Sequence, residues 1–210
     1  MRRLWLGLAL LLAFVGPAVA EQGYFPPGFW GKAASSSDEW QDSFYGKWFG
    51  KHLAAMQESK LWIAKPQGKT IFSVRLLYLP TWDRPTMMRL TEDASGQFRY
   101  IFKELNGKGG YEPGSLAITR RGKVGAEDVA EISALLDRIA PLTDKTPSDI
   151  DGGPNACLDG TQTVLEFANA NTYNAITRHQ CEMPKGDDLR ALILLLNKIS
   201  GDRVISPDTF

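Results

Sequence analysis

The chain has 210 residues, and its 24 lysines and arginines equal its 24 aspartates and glutamates. That balance lacks the basic footprint of a nucleic-acid binder, so no nucleic-acid partner is expected, and it lacks the polybasic patch of a protein held on anionic lipid. The length suits one sizeable core.

Met1-Arg2-Arg3 is a short basic stretch, and Leu4 to Val15 is uncharged and mostly apolar. Gly16-Pro17 interrupts the run, and Ala18-Val19-Ala20 supplies small residues at a cleavage site. This is the three-part secretory pattern, with cleavage expected after Ala20. A spanning helix needs about 20 apolar residues, so the run is too short for an anchor, and no second stretch approaches that length. Residues 1–20 are therefore expected to be a signal peptide. The mature chain is expected in the periplasm or the medium.

Residues 21–37 read as an irregular N-terminal arm, with Pro26-Pro27-Gly28 and Ser35-Ser36-Ser37. Its Tyr24, Phe25, Phe29 and Trp30 suit a groove on the body better than solvent. A single domain over 38–205 follows. Asp38 to about Lys60 has aromatic and apolar residues at helical spacing: Trp40, Phe44, Trp48, His52 or Leu53, and Met56. Gly46 and Gly50 inside it predict the approach of another backbone or an aromatic ring. Strands are predicted over Thr70–Leu79, Thr86–Thr91, Gln97–Leu105 and Ser115–Arg121, separated by turn signals. Ala126–Ala140 is a surface helix with an acidic first turn. Leu142 to Ala156 reads as a loop. Thr161–Ala168 and Thr172–Gln180 form a hairpin, and Lys185–Ser200 a last helix ended by Gly201. The expected fold is α+β, a mainly antiparallel sheet of about 5–6 strands with three helices.

A hairpin centred on Asn169 places Leu165 opposite Tyr173 and Asp159 opposite His179. It also places Cys157 and Cys181 equidistant from the turn. An opposed pair has a Cα spacing a disulfide can use, and two cysteines in an exported chain favour that bond. In the same register Glu166 faces Thr172, which leaves Arg178 about 20 Å away along the strand.

Asp159 and His179 are a candidate acid–base pair, with a plain cross-strand contact as the simpler reading. A nucleophile is missing, since no G-x-S-x-G elbow occurs. Asp149, Asp151 and Asp159 flank a glycine-rich loop but lack the EF-hand spacing, and only His52 and His179 could serve zinc as histidines. No metal or cofactor is expected. Asn106-Gly107-Lys108-Gly109-Gly110 does not match a phosphate-binding loop. The face carrying Trp40, Phe44, Trp48 and Met56, widened by Tyr45 and Phe49, reads as core or as an interaction surface.

Tyr111-Glu112-Pro113-Gly114, Leu158-Asp159-Gly160, Leu165-Glu166, Tyr173 and Arg178 together resemble an uncharacterised exported bacterial protein family. The likeness covers about Gly110 to Gly201. It implies a bacterial exported protein and no particular chemistry. The leading expectation is a non-catalytic exported domain that binds an envelope protein or a cell-wall component. A hydrolase using Asp159 and His179, and a small-ligand carrier with an aromatic groove, are the alternatives.

Overall fold

β-branched and aromatic residues in short alternating runs make six strands, and all of them join one antiparallel sheet in the order β4-β3-β2-β1-β5-β6. The structure, a computed structural model, describes residues 23–30, 38–64, 70–139, 159–183 and 185–201. The strands are β1 (Thr70–Pro80), β2 (Thr86–Asp93), β3 (Phe98–Leu105), β4 (Leu116–Lys123), β5 (Thr161–Asn169) and β6 (Tyr173–His179). The helices are α1 (Asp38–Ala55), α2 (Ala126–Ile139) and α3 (Asp188–Ser200). The α+β architecture and the element order match expectation. The C-terminal hairpin joins the main sheet through β5, which pairs with β1 along its length.

Both faces of the sheet are covered. Val74, Leu76 and Tyr78 of β1 point into one core with α2 and α3. Arg138 at the end of α2 meets Asp188 at the start of α3 at 2.8 Å, and Lys198 meets Asp128 at 3.1 Å, so the two helices run antiparallel. Leu77 and Leu79 point the other way, into a second core with Phe49, Leu53 and Met56 from α1 and its C-terminal end. The arm belongs to that core: Phe25, Phe29 and Trp30 are buried, and Asp42 accepts hydrogen bonds from the backbone N–H groups of Gly28 and Trp30, each at 2.9 Å. The edge strand β4 carries Arg120, Arg121 and Lys123, charges that discourage edge-to-edge pairing.

The first helix stops at Ala55, short of the expected Lys60. Gln57 adopts φ 55°, with Gln57 N–H bonded to Ala54 O and Glu58 N–H to Leu53 O. That is a left-handed helix stop built on glutamine rather than glycine, so no glycine signalled it. Beyond it, Glu58 enters a buried charge cluster. Its carboxylate accepts from Lys103 Nζ at 2.6 Å and Arg89 Nε at 3.0 Å, with Arg75 at 3.5 Å. Arg75, fully buried mid-strand, forks onto Glu166 at 2.6 and 2.7 Å and donates to Ser59 O. Tyr173 O–H completes the cluster on Glu166 at 2.9 Å, and burial together with that carboxylate pushes its pKa well up. Glu166 faces Ala175 rather than the expected Thr172, so Arg178, opposite Thr163, is three residues further along rather than six.

The hairpin register differs from expectation by three positions. Asn169 Oδ1 accepts from the N–H groups of Asn171 and Thr172, each at 2.8 Å, and Asn169 N–H donates to Thr172 O. This side-chain-stabilised turn is centred between Ala170 and Asn171 rather than on Asn169, since Ala168 pairs with Tyr173. Leu165 therefore faces Ile176, and His179 faces Gln162 rather than Asp159. The strand then gives way to a 3-10 turn over Gln180–Glu182. The directly opposed cysteine pair is thus corrected. Cys157 lies outside the described residues, as does the loop with Asp149 and Asp151.

A candidate binding cleft

The exposed side of α1 and three loops enclose a cleft of about 510 Å³ over the ends of β1 and β5. That volume is in the range of small-ligand sites. Phe44, Tyr45 and Trp48 form its helical wall, and Leu79 lies at its floor. Asp159, Gln162 and His179 line the cleft as well. The two features that the sequence singled out separately, the aromatic helix face and the Asp159/His179 pair, share this one cavity.

The expected interaction face divides along its length. Phe44 and Trp48 are half-buried at the cleft, whereas Met56 is fully buried core. The side chain of Trp40 lies outside the described residues. Gly50 is met by the Tyr24 ring at 3.6 Å, the approach expected there, but nothing lies within 4 Å of a side chain added at Gly46.

The remaining wall comes from residues that the sequence did not single out as a site. Tyr111 stacks on Trp48 with centroids 4.8 Å apart and planes 10° apart. Its outer face is open, with 58 % of the residue exposed. The 106–115 loop holds it there. Gly109, at φ 130°, lies so close to Thr81 that a Cβ would fall 2.1 Å from its carbonyl oxygen. Trp48 Nε1 donates to Gly110 O, and Lys51 Nζ to Tyr111 O. The glycine-rich segment is therefore a brace for an aromatic ring. Trp82, in the turn after β1, is 81 % exposed and also lines the cleft. An aromatic between the nearby prolines Pro80 and Pro85 was the available signal. Lys108 and Glu112 add charges at the rim.

His179 has a local structural task. Its Nδ1 accepts from Cys181 N–H at 3.4 Å, and its own N–H donates to Glu182 at 2.7 Å, a capping box for the 3-10 turn. Nδ1 also lies 3.1 Å from Cys181 Sγ, so that ring nitrogen is engaged by the turn it caps. Gly160, at φ 138°, lets the ring lie over the backbone, since a Cβ would come 2.7 Å from His179 Cε1. Thr81, the one aliphatic hydroxyl among the described lining residues, donates to Gly160 O at 2.8 Å and accepts from Gly160 N–H at 3.2 Å. Among the described residues no group of three His, Cys, Asp or Glu is placed to hold a metal ion. No helix among them is long and apolar enough to cross a membrane.

A second cavity of about 600 Å³ lies beside α2 and the far ends of the strands. Its rings Phe98 and Phe167 belong to the core. No family model and no curated protein matches this chain.

Proposed function

We propose that the protein is a non-catalytic domain exported to the cell envelope, and that the α1 cleft takes its envelope partner. One observation carries this reading. Two aromatic rings, Tyr111 and Trp82, are exposed at a cleft that the polar Asp159, Gln162 and His179 also line. Large exposed apolar rings beside a concavity mark interaction sites more often than chance exposure does. The commitment of His179 and Thr81 to local hydrogen bonds supports binding over hydrolysis. Export rests on the Met1 to Ala20 pattern and on the family resemblance, and the bond between Cys157 and Cys181 belongs to the same reading.

Cosedimentation with bacterial envelopes tests it. The chain from Glu21 onward is expected to be retained, and the Trp82→Ala/Tyr111→Ala double variant to lose at least ten-fold of that retention. Both substitutions fall on exposed rings, so the melting temperature should be preserved. Equal retention of the two proteins, or no retention of either, overturns the reading.

A further inference from the structure

We infer that the cleft binds a saccharide, with pyranose rings laid against Tyr111 and Trp82. This rests on the cleft being the binding site, and it names the ligand's chemical class.

The platform is the first argument. A pyranose has an apolar face of axial C–H groups and a rim of hydroxyls. It therefore needs a flat exposed ring with mixed hydrogen-bonding groups around it. Tyr111 provides such a ring, and its stack on Trp48 fixes the orientation in advance. Binding to a ring already held costs little conformational entropy. Trp82 adds a second, larger surface at 81 % exposure.

The polar rim is the second. Asp159 and Glu112 accept hydrogen bonds, Lys108 donates, and Gln162 does both. Among the described residues only Gln162 of these four has a side-chain partner: one amide proton is held by Thr177 Oγ1 at 2.5 Å. Hydroxyls, which donate and accept, can pair with every one of these groups. An anionic ligand fits less well, because two carboxylates face one ammonium.

The sheet supplies the third. The floor of the cleft comes from β1 and β5, both interior strands with their backbone groups already paired. A peptide cannot add a strand there, which removes the commonest way of gripping an extended chain. A saccharide needs no backbone ladder.

Calorimetry on the chain from Glu21 onward tests the inference. The probes are the β-1,4-linked hexasaccharides of N-acetylglucosamine and of glucose, together with a pull-down on purified cell-wall sacculi. Binding to at least one probe is expected. Trp82→Ala and Tyr111→Ala should each weaken it ten-fold or more, whereas Tyr111→Phe, which keeps the ring, should bind within three-fold of the parent. Retention on sacculi that peptide-free glycan strands compete away assigns the wall glycan; hexasaccharide binding alone assigns free oligosaccharide; either upholds the class, whereas retention that neither glycan strands nor hexasaccharides compete for overturns it. No binding to any probe overturns the saccharide inference, as does binding that both alanine variants preserve. The cosedimentation result separates the two failures. Envelope retention that depends on Trp82 and Tyr111, with no saccharide binding, retires the saccharide and leaves the cleft standing.

Discussion

His52 is a buried imidazole whose chemistry departs from its free behaviour. It is fully buried in α1, its Nδ1 bonds to Trp48 O at 2.8 Å, and its Nε2 is buried without a hydrogen-bond partner. Burial, the largest influence, lowers its pKa from 6.5 to about 4. The folded protein therefore holds the imidazole neutral where the unfolded chain protonates it. The unfolded state binds more protons between pH 6.5 and 4, so stability falls as pH drops through that window. From pH 7 to 4.5 the loss due to His52 should be about 2 kcal/mol. Urea unfolding at both pH values checks this. His52→Gln does not titrate, and it should lose about 2 kcal/mol less than the parent over the same interval; an equal loss in both proteins assigns the effect elsewhere. The buried charges follow a different rule. Arg75, Glu166, Glu58 and Lys103 support one another, so removing any single partner strands a charge and costs roughly 3–5 kcal/mol.

At the scale of elements, α1 and the 106–115 loop carry glycines with opposite roles. Gly46 lies inside a helix with nothing within 4 Å of an added methyl, while an added methyl at Gly109 strikes the Thr81 backbone. Gly46→Ala should stabilise the protein by about 1 kcal/mol, the ordinary helix-propensity difference. Gly109→Ala should destabilise it and release Tyr111 from Trp48. Thermal melts of the two variants check the signs, and near-ultraviolet circular dichroism reads the aromatic stack; stabilisation by Gly109→Ala would contradict the brace. Element types and nearly all strand positions were legible because alternation and turn residues mark them. The end of α1 was not, since its left-handed stop uses Gln57. The hairpin register was not, because the turn whose N–H groups bond to Asn169 Oδ1 is centred between Ala170 and Asn171 rather than on Asn169. The site was half legible. Phe44, Trp48, Asp159 and His179 stood out in the sequence, but only the folded chain brings them to one cavity. Trp82 was hidden because loop residues carry no periodicity, and Tyr111 stood out only within the family-like motif, with no role as a site. Arg75 sat as a lone charge inside an apolar strand, a signal present but unread, and Glu166 was weighed only against Arg178.

The whole molecule stacks helices on both faces of one sheet, and the C-terminal hairpin ties the faces together through β5. His179, at the end of that hairpin, contributes to the cleft and caps the turn that carries Cys181. A bond from Cys181 to Cys157 would thus fasten the cleft wall as well as the fold. The corrected register removes the support of direct opposition. What remains is the expectation of an oxidising compartment and the absence of a free cysteine among the described residues. Closing a loop of about 25 residues should contribute roughly 3 kcal/mol. For a domain of this size that corresponds to a melting temperature about 10 °C lower after reduction. The Cys157→Ser/Cys181→Ser variant should melt where the reduced protein does, and its cleft should bind more weakly as the 3-10 turn loosens. Thiol titration of the untreated protein decides the matter independently of stability. Two reactive thiols, with a melt unmoved by reductant, would show the cysteines to be unpaired and leave the hairpin held by its strand ladder and the Asn169 turn alone.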